Sequence, residues 1–290
     1  MNFEFSDELL GLQREVRKML ERESPTALVR AMADGGGDPA PVWNHLVDMG
    51  VTGMTLPETC GGNGLGAEAL CLVAEEVGRQ LSPVPLVSTM YLAAQVLLLG
   101  ATSGQQQKAV KGIAEGLPWA FAAPLDGEFD VAALPRFDGR VVTGRIPLAA
   151  DGMAAKGAVI LAVDTNTQAL CWLLADLDTA SVERQQLATL DPGRPFAALC
   201  FNATAAEPLG AAGDAAMLLQ RVLDRAAVWL AFEQLGGAEA ALDAAVEYAK
   251  QRIAFGRLIG SYQAIKHKLA DLYVSISAAR VHCYYGAWAL

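Results

Sequence analysis

The residues best placed to do chemistry are Arg252 and Phe255, within the run Arg252-Ile253-Ala254-Phe255-Gly256. Their three-residue spacing predicts one shared helical face, with a cation beside an aromatic ring. A guanidinium fork suits a phosphate or diphosphate, and an aromatic edge suits a flat ring system. The competing reading is an arginine on a solvated face beside a core phenylalanine. A second cluster, Tyr262-Gln263-Ala264-Ile265-Lys266-His267-Lys268-Leu269-Ala270-Asp271, follows a glycine-flanked break. Other candidates are thinner. Glu75-Glu76 pairs two carboxylates, but adjacent helical positions point about 100° apart. One of the two is expected to face solvent, which argues against an acid/base dyad. Gly61-Gly62-Asn63-Gly64 invites a phosphate, yet it lacks nucleotide-loop spacing and a following lysine. Tight loop packing is the expectation there.

Composition narrows the classes. The 290 residues are 53% hydrophobic and only 19% charged, so much of the chain must be buried between helices or subunits. The net charge is −10, from 22 basic against 32 acidic residues, and no Lys/Arg cluster offers a phosphate-backbone footprint. Nucleic acid is not an expected partner. Cys60, Cys71, Cys171, Cys200 and Cys283 are scattered without a CxxC, and His45, His267 and His282 lack metal-ligand spacing. Neither a disulfide framework nor a metal site is expected, and the thiols read as buried groups in a reducing cytoplasm. Leu81 to Gln107 carries no charge, but Pro83, Pro85, Gln95 and Gly100 interrupt it, so no membrane span is expected. The first five residues lack the basic and apolar regions of a signal peptide.

The elements that must position these residues follow from periodicity. Helical patterns cover Ser6 to Arg22, Pro41 to Met49, Ala67 to Gln80, Thr89 to Leu99 and Gly104 to Glu115. Near Leu117-Pro118 the pattern changes to short apolar runs broken by turns, which predicts strands. Phe137-Asp138-Gly139-Arg140 predicts a tight hairpin. Ala158 to Val163, Ala169 to Ala175 and Phe196 to Phe201 are further strands of an antiparallel sheet or small barrel. From Asp214 to about Phe255 one long helix is expected. Gly236-Gly237 within it points to the close approach of a neighbouring helix. Ser261 is expected to cap a last helix with a buried stripe of Ile265, Leu269, Leu272, Ile276 and Ala279. The expected fold is α+β and multidomain: an all-α domain over residues 1–117, a β domain over 118–209 and a helical-bundle domain over 210–290. That bundle is expected to be incomplete at Leu290, as a fragment or a shortened subunit.

This arrangement resembles an acyl-CoA dehydrogenase over nearly the whole chain. In the first domain the resemblance rests on Leu56-Pro57-Glu58, Gly61-Gly62-Asn63-Gly64, Glu75-Glu76-Val77-Gly78-Arg79, Gly100, Gln105-Gln106 and Lys108. Asp191-Pro192-Gly193, Leu209-Gly210 and Asp224-Arg225 continue it. Its most specific part is Tyr248, Arg252, Phe255-Gly256, Ile259, Gln263 and Lys266 to Asp271. The resemblance implies FAD between a sheet domain and a four-helix bundle, and α,β-dehydrogenation of an acyl-CoA by a carboxylate base. It implies electron transfer to an electron-transferring flavoprotein, and a homo- or hetero-oligomer, typically a dimer of dimers. It assigns Arg252 to the flavin pyrophosphate of a neighbouring subunit, Phe255 and Gln263 to the adenosine portion, and Asp224 to the substrate.

Departures from the family pattern are as informative. Where the family has Thr-Glu-Pro before a Gly-Ser-Asp turn, this chain has Ala122-Ala123-Pro124-Leu125-Asp126-Gly127-Glu128-Phe129-Asp130. Where it has Trp-Ile-Thr-Asn, Pro147-Leu148-Ala149-Ala150 stand. Ala226-Ala227 replace an expected substrate-binding arginine and the glutamate that sometimes precedes it. No catalytic base is identified. The pattern favours a partner-type subunit that lends Arg252, Phe255 and Gln263 to another subunit's flavin. An ordinary FAD-dependent enzyme, a flavin-free structural or regulatory relative, and an oxidase-like enzyme stay open at this point.

Overall fold

The computed structural model describes residues 4–125, 129–210 and 214–290. In chain order the first helices are α1 (Asp7–Glu23), α2 (Thr26–Ala33), α3 (Ala40–Asp48) and α4 (Ala67–Gln80). A π-helical segment (Val87–Ala93) runs into α5 (Ala94–Gly100), and α6 (Ser103–Ala114) follows. The strands are β1 (Trp119–Ala122), β2 (Arg136–Phe137), β3 (Val141–Ala150), β4 (Gly157–Asp164), β5 (Leu170–Asp176), β6 (Val182–Gln186), β7 (Phe196–Ala205) and β8 (Glu207–Pro208). Then come α7 (Ala215–Gln251), a hairpin of β9 (Ile253–Ala254) and β10 (Arg257–Leu258), and α8 (Gln263–Ala289). The expected succession of helices, strands and helices is present. The short elements α2, β1, β6, β8 and the β9–β10 hairpin have no named counterpart among the expectations, because segments this short carry little periodicity.

The chain forms two compact units, one of Met1–Ala27, Gly66–Ser82 and Val228–Leu290, the other of Leu28–Leu65 and Pro83–Ala227. The second unit holds an eight-stranded sheet of order β6-β7-β3-β1-β4-β5-β8, with β2 beside β3 and β4. It is antiparallel except where β1 and β2 run parallel to β4. The β2–β3 hairpin forms where Asp138 Oδ1 accepts from the Arg140 and Val141 amides and Gly139 takes φ 99°. Those amide bonds, Val141 first, hold the Asp138 carboxyl below its usual range. Phe137, Ile146, Ile160, Leu173, Leu199 and Phe201 fill the sheet's core. The glycine-rich loop packs as expected: a Cβ at Gly62 would lie 2.2 Å from the Leu56 carbonyl oxygen, and the Asn63 amide donates to Gly53 O at 2.8 Å.

In the first unit α4 and α7 cross so closely that glycine is required on both helices. A Cβ at Gly78 would lie 1.9 Å from Glu233 O, and one at Gly236 would lie 1.9 Å from Glu75 O. The Trp229 indole N–H donates to Ala67 O at 3.1 Å beside this crossing. Phe232 and Tyr284 stack nearby and Phe5 meets both edge-on, with ring centroids 4.9–6.3 Å apart. Among the described residues no helix is long and apolar enough to cross a membrane.

Two expectations about α8 fail. Ser261 does not cap it; its hydroxyl donates to Leu258 O at 2.7 Å, and Tyr262 is the N-cap without a side-chain bond. The stripe expected to be buried is not: Leu272 is 51% exposed, and Ile265, Leu269 and Ile276 are only half-buried. Tyr273, Val274, Val281, Tyr285 and Trp288 are exposed as well, so apolar residues lie all round this helix and its periodicity alone does not select a buried face.

Candidate functional site

Helix α7 ends at Gln251, so Arg252 and Phe255 do not share a helical face. The chain instead reverses through β9 and β10, with Arg257 paired to Ala254 and Leu258 to Ile253. Phe255 (φ 52°) and Gly256 (φ 78°) are the two central turn residues. Positive φ at both positions matches the twist of a two-residue hairpin, which glycine meets freely and phenylalanine only with strain. The Ile259 amide donates to Arg252 O at 2.8 Å, and Tyr262 Oη donates to Ala254 O at 3.0 Å. The Arg257 guanidinium lies 4.0 Å from the centroid of the Tyr262 ring. These bonds draw Arg252, Phe255 and Gln263, the first residue of α8, into one tightly tied segment.

Within that segment the displayed groups are unused internally. Phe255 is 98% exposed, and Ile253 and Tyr248 are exposed beside it. Among the described residues, the Arg252 guanidinium and the Gln263 side chain make no hydrogen bond or ion pair. An aromatic ring held outward on a strained backbone, beside an uncommitted guanidinium, can engage an anionic group and a flat ring supplied from outside. Asp224 lies elsewhere, exposed on α7, where its carboxylate accepts from Gln220 Nε2 at 2.8 Å.

The other predicted region is a cleft of about 430 Å³ in the second unit. Its walls include Pro124, Leu125, Phe129, Leu134, Pro147 and Leu148. Pro147 falls at a β-bulge between Ile146 and Ala149, where the missing N–H costs no ladder bond. Asp130, the one charged residue of the lining among the described residues, accepts from the Ala132 amide at 2.8 Å as a helix cap. No hydroxyl and no stacking ring face the cleft from Pro147 to Ala150. Residues 126–128, within the run compared with the family's turn, lie outside the described residues.

The acidic pair is not what the sequence suggests. Glu75 and Glu76 are both buried, at 2% and 0% exposure, so neither faces solvent. The reason is that each meets its own arginine from a different helix. Glu76 takes a bidentate pair from Arg17 at 2.7 and 2.8 Å and a third bond from Gln13 at 2.8 Å. Glu75 accepts from Arg280 at 2.8 Å, and Arg280 also binds Glu239. Burial pushes the Glu75 carboxyl up, while Arg280 draws it down. Burial alone would lower the Arg280 pKa, but its bonds to Glu239 and Glu75 hold it above the ordinary range. These partners are 59 and 205 residues away, and no local spacing announces them. The network is structural in geometry: each charge is paired. Among the described residues no group of three or more His, Cys, Asp or Glu side chains could hold a metal ion.

Comparison with known proteins fits this geometry. Residues 6–117 match the acyl-CoA dehydrogenase N-terminal domain model, and residues 215–290 match the C-terminal domain model. The chain is 35% identical over 271 residues to acyl-CoA dehydrogenase IpdE2 of Mycobacterium tuberculosis, covering 93% of this chain and 72% of that one. Among solved structures it resembles the steroid ACAD Tcur3481-Tcur3483, at a TM-score of 0.82 and 30% identity, covering 98% of this chain and 78% of that one. It also resembles the ChsE4-ChsE5 complex of M. tuberculosis, at a TM-score of 0.85 and 26% identity, covering 99% and 79%. With both domain models matched, and the helix–sheet–helix order and the hairpin of Arg252 in place, this chain belongs to the acyl-CoA dehydrogenase family of oxidoreductases.

Proposed function

We propose that the chain works as a cytoplasmic subunit of an oligomeric, FAD-dependent acyl-CoA dehydrogenase and lends Arg252, Phe255 and Gln263 to the flavin of a partner subunit. The observation that carries this reading is the contrast between an outward, uncommitted Arg252–Phe255 hairpin and an apolar cleft whose described lining offers no hydroxyl and, on its Pro147–Leu148 wall, no ring. The hairpin fits the diphosphate and adenosine part of FAD: a guanidinium fork matches phosphate oxygens, Gln263 can donate or accept, and Phe255 offers a face. The cleft residues do not fit an isoalloxazine by their side chains, since Pro147, Leu148 and Leu125 neither stack nor hydrogen-bond. When bound, FAD supplies the hydride acceptor for α,β-dehydrogenation of an acyl-CoA thioester. This chain's own part in that reading is to bind and orient the cofactor, not to move the proton. The likeness to a steroid ACAD supports a bulky acyl group as substrate, with an electron-transferring flavoprotein as electron acceptor.

The test is expression alone and together with a candidate partner subunit, followed by flavin absorbance and acyl-CoA-dependent bleaching. Colourless protein alone and a yellow, bleachable complex on co-expression are expected. A yellow, bleachable homo-oligomer from this chain alone would overturn the lending role. A co-expressed complex without flavin would instead support a flavin-free relative.

A further inference from the structure

Asp151 follows β3 directly and takes φ 54°, a left-handed conformation that aspartate tolerates better than most side chains. It ties three segments of the second unit together. Its amide donates to Pro195 O at 2.9 Å, and its carbonyl accepts from the Ala154 and Ala155 amides at 3.0 Å. Its carboxyl points at Ser88 in the π-helical segment, with Ser88 Oγ 2.6 Å from Asp151 Oδ2. Ser88 is fully buried, and its Oγ also lies 3.2 Å from Pro85 O. One hydroxyl proton cannot serve two acceptors. With an acid proton on Asp151 both contacts become hydrogen bonds: Asp151 donates to Ser88, and Ser88 donates to Pro85 O. Ionised, Asp151 takes the hydroxyl proton and the Pro85 carbonyl loses it.

The surroundings hold little to offset that charge. Arg194, on the loop before β7, is the charged side chain acting on Asp151. From β6, Arg184 donates to the Gly152, Met153 and Ala155 carbonyls and is paired with Asp178. Ser88 faces Asp151 from the π-helical segment. Burial pushes the Asp151 carboxyl up to about 6, against smaller downward pulls from Ser88 and Arg194. π-helical turns cost backbone geometry and recur at functional positions. Here that turn delivers a hydroxyl to a buried acid three residues beyond Leu148, a wall of the cleft.

We propose that Ser88 and Asp151 form a proton-dependent latch that pins the end of β3, and with it the Pro147–Leu148 wall of the cleft, to the Val87–Ala93 helix. The sign follows from proton binding. A carboxyl raised in the folded state binds its proton preferentially there, so the latch is fully engaged below the ordinary carboxylate value. It weakens as pH rises toward about 6, by up to about tenfold per pH unit, and is then flat. The proposal does not depend on whether the chain lends to or holds a flavin.

Amide exchange across residues 148–156, corrected for intrinsic rates, tests it between pH 4.5 and 8. Protection is expected to fall as pH rises toward about 6 and to level off above it in the unaltered chain, and to stay flat throughout in Asp151→Asn, whose amide can donate to Ser88 without titrating. The part of the protonated-acid infrared carbonyl band that Asp151→Asn removes should fade around pH 6. If Asp151→Asn keeps the pH dependence of exchange, or the unaltered chain shows no protection change, the latch is refuted. The exchange readout on the unaltered chain decides the matter even if the variant folds poorly.

Discussion

Helix α7 and the hairpin that follows it hold two regions built on opposite terms. At Gly236 every group is turned inward: backbone touches backbone across α4, and Glu75, Arg280 and Glu239 neutralise one another beside the crossing. At Arg252 and Phe255 every group is turned outward, and the backbone is strained to keep it so. Close packing without voids is how a chain gains stability, so residues that decline it are available for something else. The contrast separates what holds this fold from what the fold presents.

Four substitutions break or sharpen that contrast. Gly236→Ala puts a Cβ 1.9 Å from a carbonyl oxygen of α4, which neither helix can yield without parting. Loss of upwards of about 4 kcal/mol is expected in denaturant unfolding, or failure to fold. Arg280→Met keeps the stem's packing but leaves Glu75 buried without its cation, and about 3 kcal/mol should be lost by the same measurement. A loss under about 1 kcal/mol would show that Glu75 is accommodated by other means. Arg252→Ala should leave stability within about 0.5 kcal/mol, since nothing internal depends on the guanidinium. Flavin retained by the co-expressed oligomer should drop several-fold, and unchanged flavin content would remove this residue from the proposed site. Phe255→Gly should cost no stability, holding or raising it by less than about 0.5 kcal/mol as the left-handed turn is relieved. Flavin content is the readout that matters for this variant too. An appreciable stability loss would mean that the ring packs internally after all.

Legibility in the sequence tracked the range of the cause. Helix α4 was readable to the residue because its apolar spacing, Gly66 before it and Arg79 in its last turn are all local. The close crossing was readable from Gly236-Gly237, since glycine in a helix interior is unfavourable unless something approaches. The hairpin at Phe255 was not, because a helix pattern running into Phe-Gly looks the same whether it stops at Gln251 or at Phe255. Only the positive φ of both turn residues separates the two. The burial of both Glu75 and Glu76 was likewise hidden, because Arg17 and Arg280 arrive from distant helices.

By itself, then, the sequence determined the order of helices, strands and helices, the glycine-dependent packing, and the residue types gathered around Arg252. These depend on propensity and spacing, which act over a few residues. Tertiary structure alone decided that Phe255 would be displayed rather than buried, that both acids would be paired, and that Ser88 would meet Asp151 63 residues away. Each of those outcomes depends on which surfaces remain after distant segments have packed, and that is a property of the folded whole.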